Sequence, residues 1–190
     1  KENINAEISY KDPKNGSFYL LANLDIDEEK TYNISINGQI DTVCLAEMKI
    51  IDALPTFKFS TTLQSELKLS SLNDIEGYIA IDSINLYNEN IRMSPENIIL
   101  VSENTEDGKR IWLDSDIATL NISGQLDFYT IVNNIKYIVA KELTNIPVLK
   151  TKKKEGNNNF KLQADILPLS DYSYFFAQNF SIDDTTHINA

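Results

Sequence analysis

The sequence predicts a mainly β protein, built as an antiparallel, strongly curved sheet (a trough) with an amphipathic helix covering one end. A β-sandwich is the alternative architecture. Three observations carry this. Apolar residues fall on every second position over long stretches, most clearly from Thr56 to Ser70. There Phe57, Phe59, Leu63, Leu67 and Leu69 share one face, interrupted only by Thr61 and Ser65, while Lys58, Ser60, Thr62, Gln64, Glu66, Lys68 and Ser70 share the other. Successive side chains of a strand point to opposite faces, so this is a strand with one apolar and one polar side. Turn signals separate such stretches. The period changes clearly to three and four between Phe128 and Leu143, where a helix is predicted.

The elements follow in order. Ile4, Ala6, Ile8 and Tyr10 alternate, and Asp12-Pro13-Lys14-Asn15-Gly16 reads as a turn, because Pro presets φ and Asn-Gly accepts left-handed geometry. Ser17 to Ile26 reads as the returning strand, and Asp27-Glu28-Glu29-Lys30 as a second turn. Tyr32, Ile34 and Ile36 alternate up to Asn37-Gly38, a hairpin signal after which Gln39 to Val43 is expected to pair back. A short helix is expected over Ala46–Leu54, where Leu45, Met48, Ile51 and Leu54 lie three apart before Pro55. The Thr56–Ser70 strand comes next, then Gly77 to Leu86, whose phase slips. Ile79 and Ile81 share one face and Ile84 and Leu86 the other, so a bulge or bend is expected near Asp82-Ser83. Ile91 to Val101 and Arg110 to Leu126 continue the strand pattern, joined by a loop over Glu103–Lys109.

The helix carries Phe128, Ile131, Val132, Ile135, Ile138, Val139 and Leu143 on one face and ends before Pro147. After a Lys/Asn-rich loop, Phe160, Leu162, Ala164 and Ile166 alternate again. A short aromatic helix is expected over Asp171–Gln178, with Ser170 as N-cap and Leu169, Tyr172, Phe175 and Phe176 on its buried side. The expected division is a curved β domain with its helix over 1–149, a polar loop over 150–159, and over 160–190 the start of a further strand-and-helix unit packed on the same sheet.

Composition narrows the function. The chain has 190 residues, enough to bury a sizeable core without staples, and a net charge of −11. Nucleic acid is excluded as an expected partner, since phosphate contacts need clustered Lys and Arg. The only basic cluster, Lys150 with Lys152, Lys153 and Lys154, reads as a solvated loop rather than a headgroup patch. Cys44 is the only cysteine, so no internal disulfide is possible. It lies in the apolar run Val43-Cys44-Leu45-Ala46, where a buried thiol is expected. No apolar run approaches the ~18 residues of a spanning helix, and no signal-peptide pattern is present. The opening at Lys1 suits an internal piece of a longer protein.

Catalytic chemistry is sparse. The one histidine, His187, lies near the C-terminus, and a nucleophilic triad or dyad would have to use it. No zinc-ligand set, Gly-rich phosphate loop or dinucleotide fingerprint is present, and no cofactor is expected. The acidic clusters (Asp25 with Asp27, Glu28 and Glu29; Asp114 with Asp116; Asp183 with Asp184) read as solvated turns, with calcium as the alternative.

Two segments carry a family pattern. One is Gly77-Tyr78-Ile79-Ala80-Ile81-Asp82-Ser83-Ile84. The other runs from Ile111-Trp112-Leu113-Asp114-Ser115-Asp116 through Ile122-Ser123-Gly124-Gln125-Leu126 to Phe128, a strand leading into an apolar helix. These, with the final unit from Phe160 through Phe180-Ser181-Ile182 to Asn189, resemble the TamB-like proteins of the AsmA-like superfamily. The resemblance covers the chain from Thr56 onward. It implies an internal piece of a long periplasmic rod, anchored in the inner membrane by a helix of the parent protein. That parent would approach the outer-membrane assembly machinery, with roles in phospholipid passage and outer-membrane protein assembly.

The expected function is therefore non-catalytic: acyl chains of phospholipid held in an apolar β-groove. The candidate lining is Tyr32, Ile34, Ile36, Phe57, Phe59, Leu63, Leu67, Leu69, Ile79, Ile81, Ile111 and Leu113. Partners would be phospholipid and, through the parent chain, an outer-membrane assembly protein. The alternative is a cell-envelope binding module for carbohydrate or protein.

Overall fold

The computed structural model describes residues 2–12, 16–44, 46, 57–88, 91–142, 156, 158–168 and 184–189. They form eleven strands and one helix. The strands are β1 (Glu2–Asp12), β2 (Gly16–Ile26), β3 (Tyr32–Cys44), β4 (Phe57–Leu69), β5 (Ile75–Asn88), β6 (Ile91–Met93), β7 (Ile98–Thr105), β8 (Gly108–Asp114) and β9 (Ala118–Gln125). After helix α1 (Phe128–Glu142) come β10 (Asn159–Ile166) and β11 (Thr186–Asn189). All eleven strands belong to one open sheet, ordered β1-β2-β3-β4-β5-β7-β8-β9-β10-β11, with β6 beside the far end of β5. Every pairing is antiparallel. The strands make one hydrogen-bonded sheet and not the two of a sandwich.

The turn after β2 forms as its sequence suggests. Asp27 Oδ1 accepts hydrogen bonds from the Glu29 N–H (2.9 Å) and the Thr31 N–H (2.8 Å), and Lys30 takes φ 61°. Asn37-Gly38 is not a turn. β3 runs straight through it, with Gly38 opposite Leu20 of β2 and Leu63 of β4. The glycine serves packing: a Cβ there would stand 3.2 Å from Leu20 Cδ1 and 3.5 Å from Leu63 Cβ. Two bulges interrupt the long strands. One falls in β3 between Ile40 and Val43, where Thr42 has φ 52°. The other falls in β5 opposite Ser60 and Thr62, with Ser83 at φ 54°, at the point where the apolar phase of the sequence slips. Each adds one residue, so apolar side chains beyond the bulge return to the face they left.

Two expected elements are subdivided. Ile91–Val101 breaks at Ser94-Pro95-Glu96-Asn97 into β6 and β7, which pair with different stretches of β5. Arg110–Leu126 folds back at Ser115-Asp116-Ile117 into β8 and β9. Ser115 makes this turn: its Oγ donates to Ala118 O (2.8 Å) and accepts from Ala118 N–H (3.0 Å). The expected Glu103–Lys109 loop is a tight connection at Glu106-Asp107, with Gly108 already in β8. Apart from Ala46, the helices expected over 46–54 and 171–178 lie outside the described residues.

Helix α1 is capped by Asp127, whose Oδ1 accepts from Tyr129 N–H (3.0 Å). Its first turn is tied to the β4–β5 connection, where Asn73 Oδ1 accepts from Phe128 N–H (2.8 Å). Asn158 ties it to the approach to β10 by accepting from Asp127 N–H (2.8 Å). Ile131 is buried, and Ile135 packs on a cluster of Ile122, Leu162 and Ile188 from β9, β10 and β11. The helix thus covers the β9–β11 end of the sheet. β10 pairs with β9 along its whole length, so the described strands after residue 158 extend the same sheet. A second dry cluster, Phe57, Ile84 and Leu86, sits beside the β5 bulge.

Gly77 has φ 127°, and a Cβ there would stand 1.9 Å from Glu66 O. Gly77→Ala is expected to cost roughly 2–4 kcal/mol in urea unfolding, because neither the dihedral nor the backbone contact can relax cheaply. Gly38→Ala, hindered only by a movable Leu20 methyl, is expected to cost less than about 1 kcal/mol. A large loss at Gly38 would contradict the uninterrupted course of β3.

Candidate functional site

Residues directly opposite in neighbouring strands share a face, so the register shows which side chains meet. One row runs Ile36, Ser65, Ile79, Leu100, Leu113, Leu120, Ala164 and Ile188, crossing from β3 to β11. A parallel row runs Ile34, Leu67, Gly77, Ser102, Ile111, Ile122 and Leu162. Tyr32 opposes Leu69 on one flank, and Leu63 opposes Ile81 on the other. Across β2 and β1 the same face continues with Leu20 and Ile8, Ala22 and Ala6, and Leu24 and Ile4. All of the candidate lining residues therefore lie on one face of one sheet.

They are not equivalent there. Phe57 is buried at 8 % exposure in the cluster beside the bulge, with Phe59 and Ile81 packed on it, so it is dry core and not open lining. Ile111 packs against the cluster beneath α1. Ile34, Ile36, Leu63, Leu67, Leu69, Ile79 and Leu113 are half-buried, and Tyr32 is 36 % exposed. On β1, Ile4 and Ile8 are 53 % and 52 % exposed. Among the described residues, β1 and the β3 end of the apolar face are the parts with the most exposed apolar side chains.

Several members of this face were hidden in the sequence. Leu20 stands in the pair Leu20-Leu21 and Leu100 in the run Ile98-Ile99-Leu100-Val101, where alternation is masked by apolar residues on both faces. On the opposite face Tyr78, Val101 and Trp112 form a cross-strand apolar ladder. Apart from these and Tyr19, Leu21, Ala80 and Ile99, that face is mostly polar. It holds a cavity of about 390 Å³ whose lining includes Asn23, Asp25, Asn33, Ser35, Glu66, Lys68, Glu76 and Tyr78.

Lys109 is the least expected member. It is 4 % exposed on the apolar face, opposite Gly124. Its Nζ donates to Ile75 O (2.7 Å) and lies 5.9 Å from the centre of the Phe128 ring. Burial lowers its pKa below the ordinary lysine value, opposed by the carboxylates of Asp74 and Glu76. Asp74 is itself held below the usual carboxylate range by hydrogen bonds from Ser70 Oγ (2.6 Å) and Asn104 Nδ2 (2.7 Å). Ser65, buried at 4 % between Ile36 and Ile79, has an Oγ with no hydrogen-bond partner among the described residues.

The remaining candidates are structural. Cys44 is fully buried. Asp27 closes the β2–β3 turn, and Asp116 Oδ2 accepts from Glu96 N–H (3.2 Å). His187 Nδ1 lies 2.6 Å from Asp165 Oδ1 across β10 and β11, both side chains more than half exposed. Among the described residues no three His, Cys, Asp or Glu side chains gather as a metal site, and no helix is long and apolar enough to cross a membrane. The Lys150–Lys154 cluster and Asp183 lie outside the described residues. No protein-family model matches the chain, and neither does any curated protein or solved structure. The likeness to TamB-like proteins rests on the residue patterns alone. Structural duties account for some of those residues: Gly77 and Gly124 take φ 127° and 131° where another backbone passes, and Ser115 makes a turn.

Lys109→Met is expected to change stability at neutral pH by no more than about 1 kcal/mol, since a buried charge gives way to an apolar side chain of similar length. Ile75 O keeps its bond from Ser102 Oγ (2.7 Å). A lysine with a lowered native pKa binds fewer protons folded than unfolded as the pH nears 10.5, so its destabilising effect fades there. The wild type should therefore gain stability relative to Lys109→Met between neutral pH and 10.5. Urea unfolding across that range measures it, and a constant difference would show that Lys109 is not desolvated.

Proposed function

We propose that the chain is a non-catalytic lipid carrier segment that holds phospholipid acyl chains against its apolar sheet face. In this proposal the sheet acts as a trough within a longer cell-envelope rod that serves lipid transfer or outer-membrane assembly. The observation that carries the reading is the continuity of one apolar face across the sheet from β1 to β11, exposed at Ile4, Ile8 and Tyr32 and half-buried over β3 to β5. Each CH₂ moved from water to such a surface gains about 0.8 kcal/mol without needing any particular side chain. At 4.7–4.9 Å per strand the path across the sheet is roughly 43 Å. One leaflet of a ~30 Å hydrocarbon core gives an acyl chain about 15 Å. The face is therefore longer than its proposed cargo, which suits passage from place to place more than a single closed pocket.

Leu63 and Leu67 sit near the middle of the face, and their replacement by aspartate would return a charge to the path. Native mass spectrometry of the purified chain is expected to show co-purifying phospholipid, identified after extraction. Leu63→Asp/Leu67→Asp is expected to reduce lipid occupancy by at least about tenfold, equivalent to 1.4 kcal/mol, while circular dichroism stays that of the wild type. A folded wild-type monomer carrying no lipid would remove the proposal in favour of a spacer or a protein- or sugar-binding module.

A further inference from the structure

We infer that the polar face carries a second binding site, for an extended neutral glycan laid across the strands. The site lies on the side of the sheet opposite the acyl-chain face and does not rest on the lipid reading. The register places its parts in one cross-strand row. Asn23, Ser35 and Glu66 of β2, β3 and β4 lead to Tyr78, Val101 and Trp112 of β5, β7 and β8. Asn121 and Gln163 of β9 and β10 follow. The row is thus an aromatic stretch with hydrogen-bonding side chains at both ends, and each end is hollowed. The cavity of about 390 Å³ includes Asn23, Ser35, Glu66 and Tyr78 in its lining. A second cavity, of about 560 Å³, is lined by Asn121, Ser123, Lys161, Gln163 and Asn189 with Leu162. Asn121 Oδ1 has no hydrogen-bond partner among the described residues. By turning about its last side-chain bond, that amide can meet a hydroxyl in the second cavity.

This arrangement matches the chemistry of a sugar. A pyranose ring has a flat C–H face and a rim of hydroxyls. The face stacks on an aromatic ring, and the rim needs partners that both donate and accept, as amides and hydroxyls do. Tyr78 and Trp112 are half-buried, so each offers part of its ring. They stand two strand spacings apart, roughly 9.5 Å. In an extended β-linked chain alternate sugars present the same face, and one disaccharide repeat bridges such a span. Charge and backbone pairing select against other ligands. The first cavity sets Asp25, Glu66 and Glu76 against Lys68 alone, and the chain carries −11, which disfavours a polyanion. Arg110, opposite Ser123, is paired with Glu103 (3.6 Å). A polycation meets Lys68 in one cavity and Lys161 in the other. A peptide strand is taken up at a sheet edge, where main-chain groups are free, and not across a face whose backbone is already paired.

Calorimetry and Trp112 fluorescence on the 190-residue chain, titrated with cellohexaose and with chitohexaose, test this. Saturable binding of at least one is expected, with a Kd between about 10 µM and 1 mM and a change in Trp112 emission. Tyr78→Ala and Glu66→Ala are each expected to weaken it at least about tenfold. Glu66 is exposed, so its replacement spares the fold, and circular dichroism checks both variants. Glu66→Gln, which keeps a hydrogen-bonding head and removes the charge, is expected to bind within about threefold of wild type. Binding of neither sugar would overturn the inference. So would binding that Tyr78→Ala and Glu66→Ala leave unchanged, or a loss in Glu66→Gln as large as in Glu66→Ala, which would mark a site for cations. Tighter binding of an oligogalacturonate would mark a site for anions and overturn it equally.

Discussion

The structure depends on one constraint: the long strands keep most of their apolar residues on the same side of a single sheet. A slip of one residue in any strand would send its whole apolar set to the polar face. The register prevents this from β1 to β11, and where two strands gain an extra residue, the bulges at Thr42 and Ser83 absorb it. After the β5 bulge, Ile84 and Leu86 return to the apolar face and join Phe57 in a buried cluster. Continuity of the face is thus maintained at the two places where the chain departs from regular pairing. Helix α1 then covers only the β9–β11 end, through Ile135 and the cluster of Ile122, Leu162 and Ile188.

The polar residues admitted to this face sit at defined points. Lys109 stands where the β4–β5 connection, β8 and the first turn of α1 converge. Its ammonium bonds Ile75 O, and Asp74 and Glu76 lie close enough to support its charge. Asn73 in the same connection caps the helix start, so one polar corner positions the helix over the apolar sheet. A buried charge of this kind is a poor source of stability, and it fits only where its partners are. Thr61, another interruption of the apolar pattern, donates its hydroxyl to Asp82 O (2.9 Å) beside the β5 bulge.

Much of the fold was legible because period-two alternation reports the pleat directly. The Phe57–Leu69 strand, the phase slip at Asp82-Ser83, the amphipathic helix from Phe128 and the buried Cys44 all follow from local pattern. Local pattern failed where a tertiary neighbour decides the outcome. Asn37-Gly38 has the composition of a hairpin, but Gly38 lies mid-strand between Leu20 and Leu63, neighbours that no local window contains. The fold-back at Ser115 uses a serine hydroxyl in place of glycine or proline, so it reads as strand. Lys109 looks like a loop residue because its partners, Ile75 and Phe128, are distant in sequence. Of the candidate lining, the shared face was legible from alternation. The buried state of Phe57 was not, since it depends on Ile84 and Leu86 returning across the bulge.

The single tryptophan offers the most direct test of the two-sided sheet. Trp112 projects from the polar face, opposite Val101 and Asn121, while its neighbour Leu113 lies on the apolar face between Leu100 and Leu120. Quenching of tryptophan fluorescence by phospholipid brominated in its acyl chain falls off steeply with distance, and the two side chains stand on opposite sides of the backbone. If the apolar face holds acyl chains, a tryptophan moved by Trp112→Phe/Leu113→Trp is strongly quenched, and native Trp112 is quenched little. Equal quenching at the two positions, or quenching only at Trp112, would contradict the account.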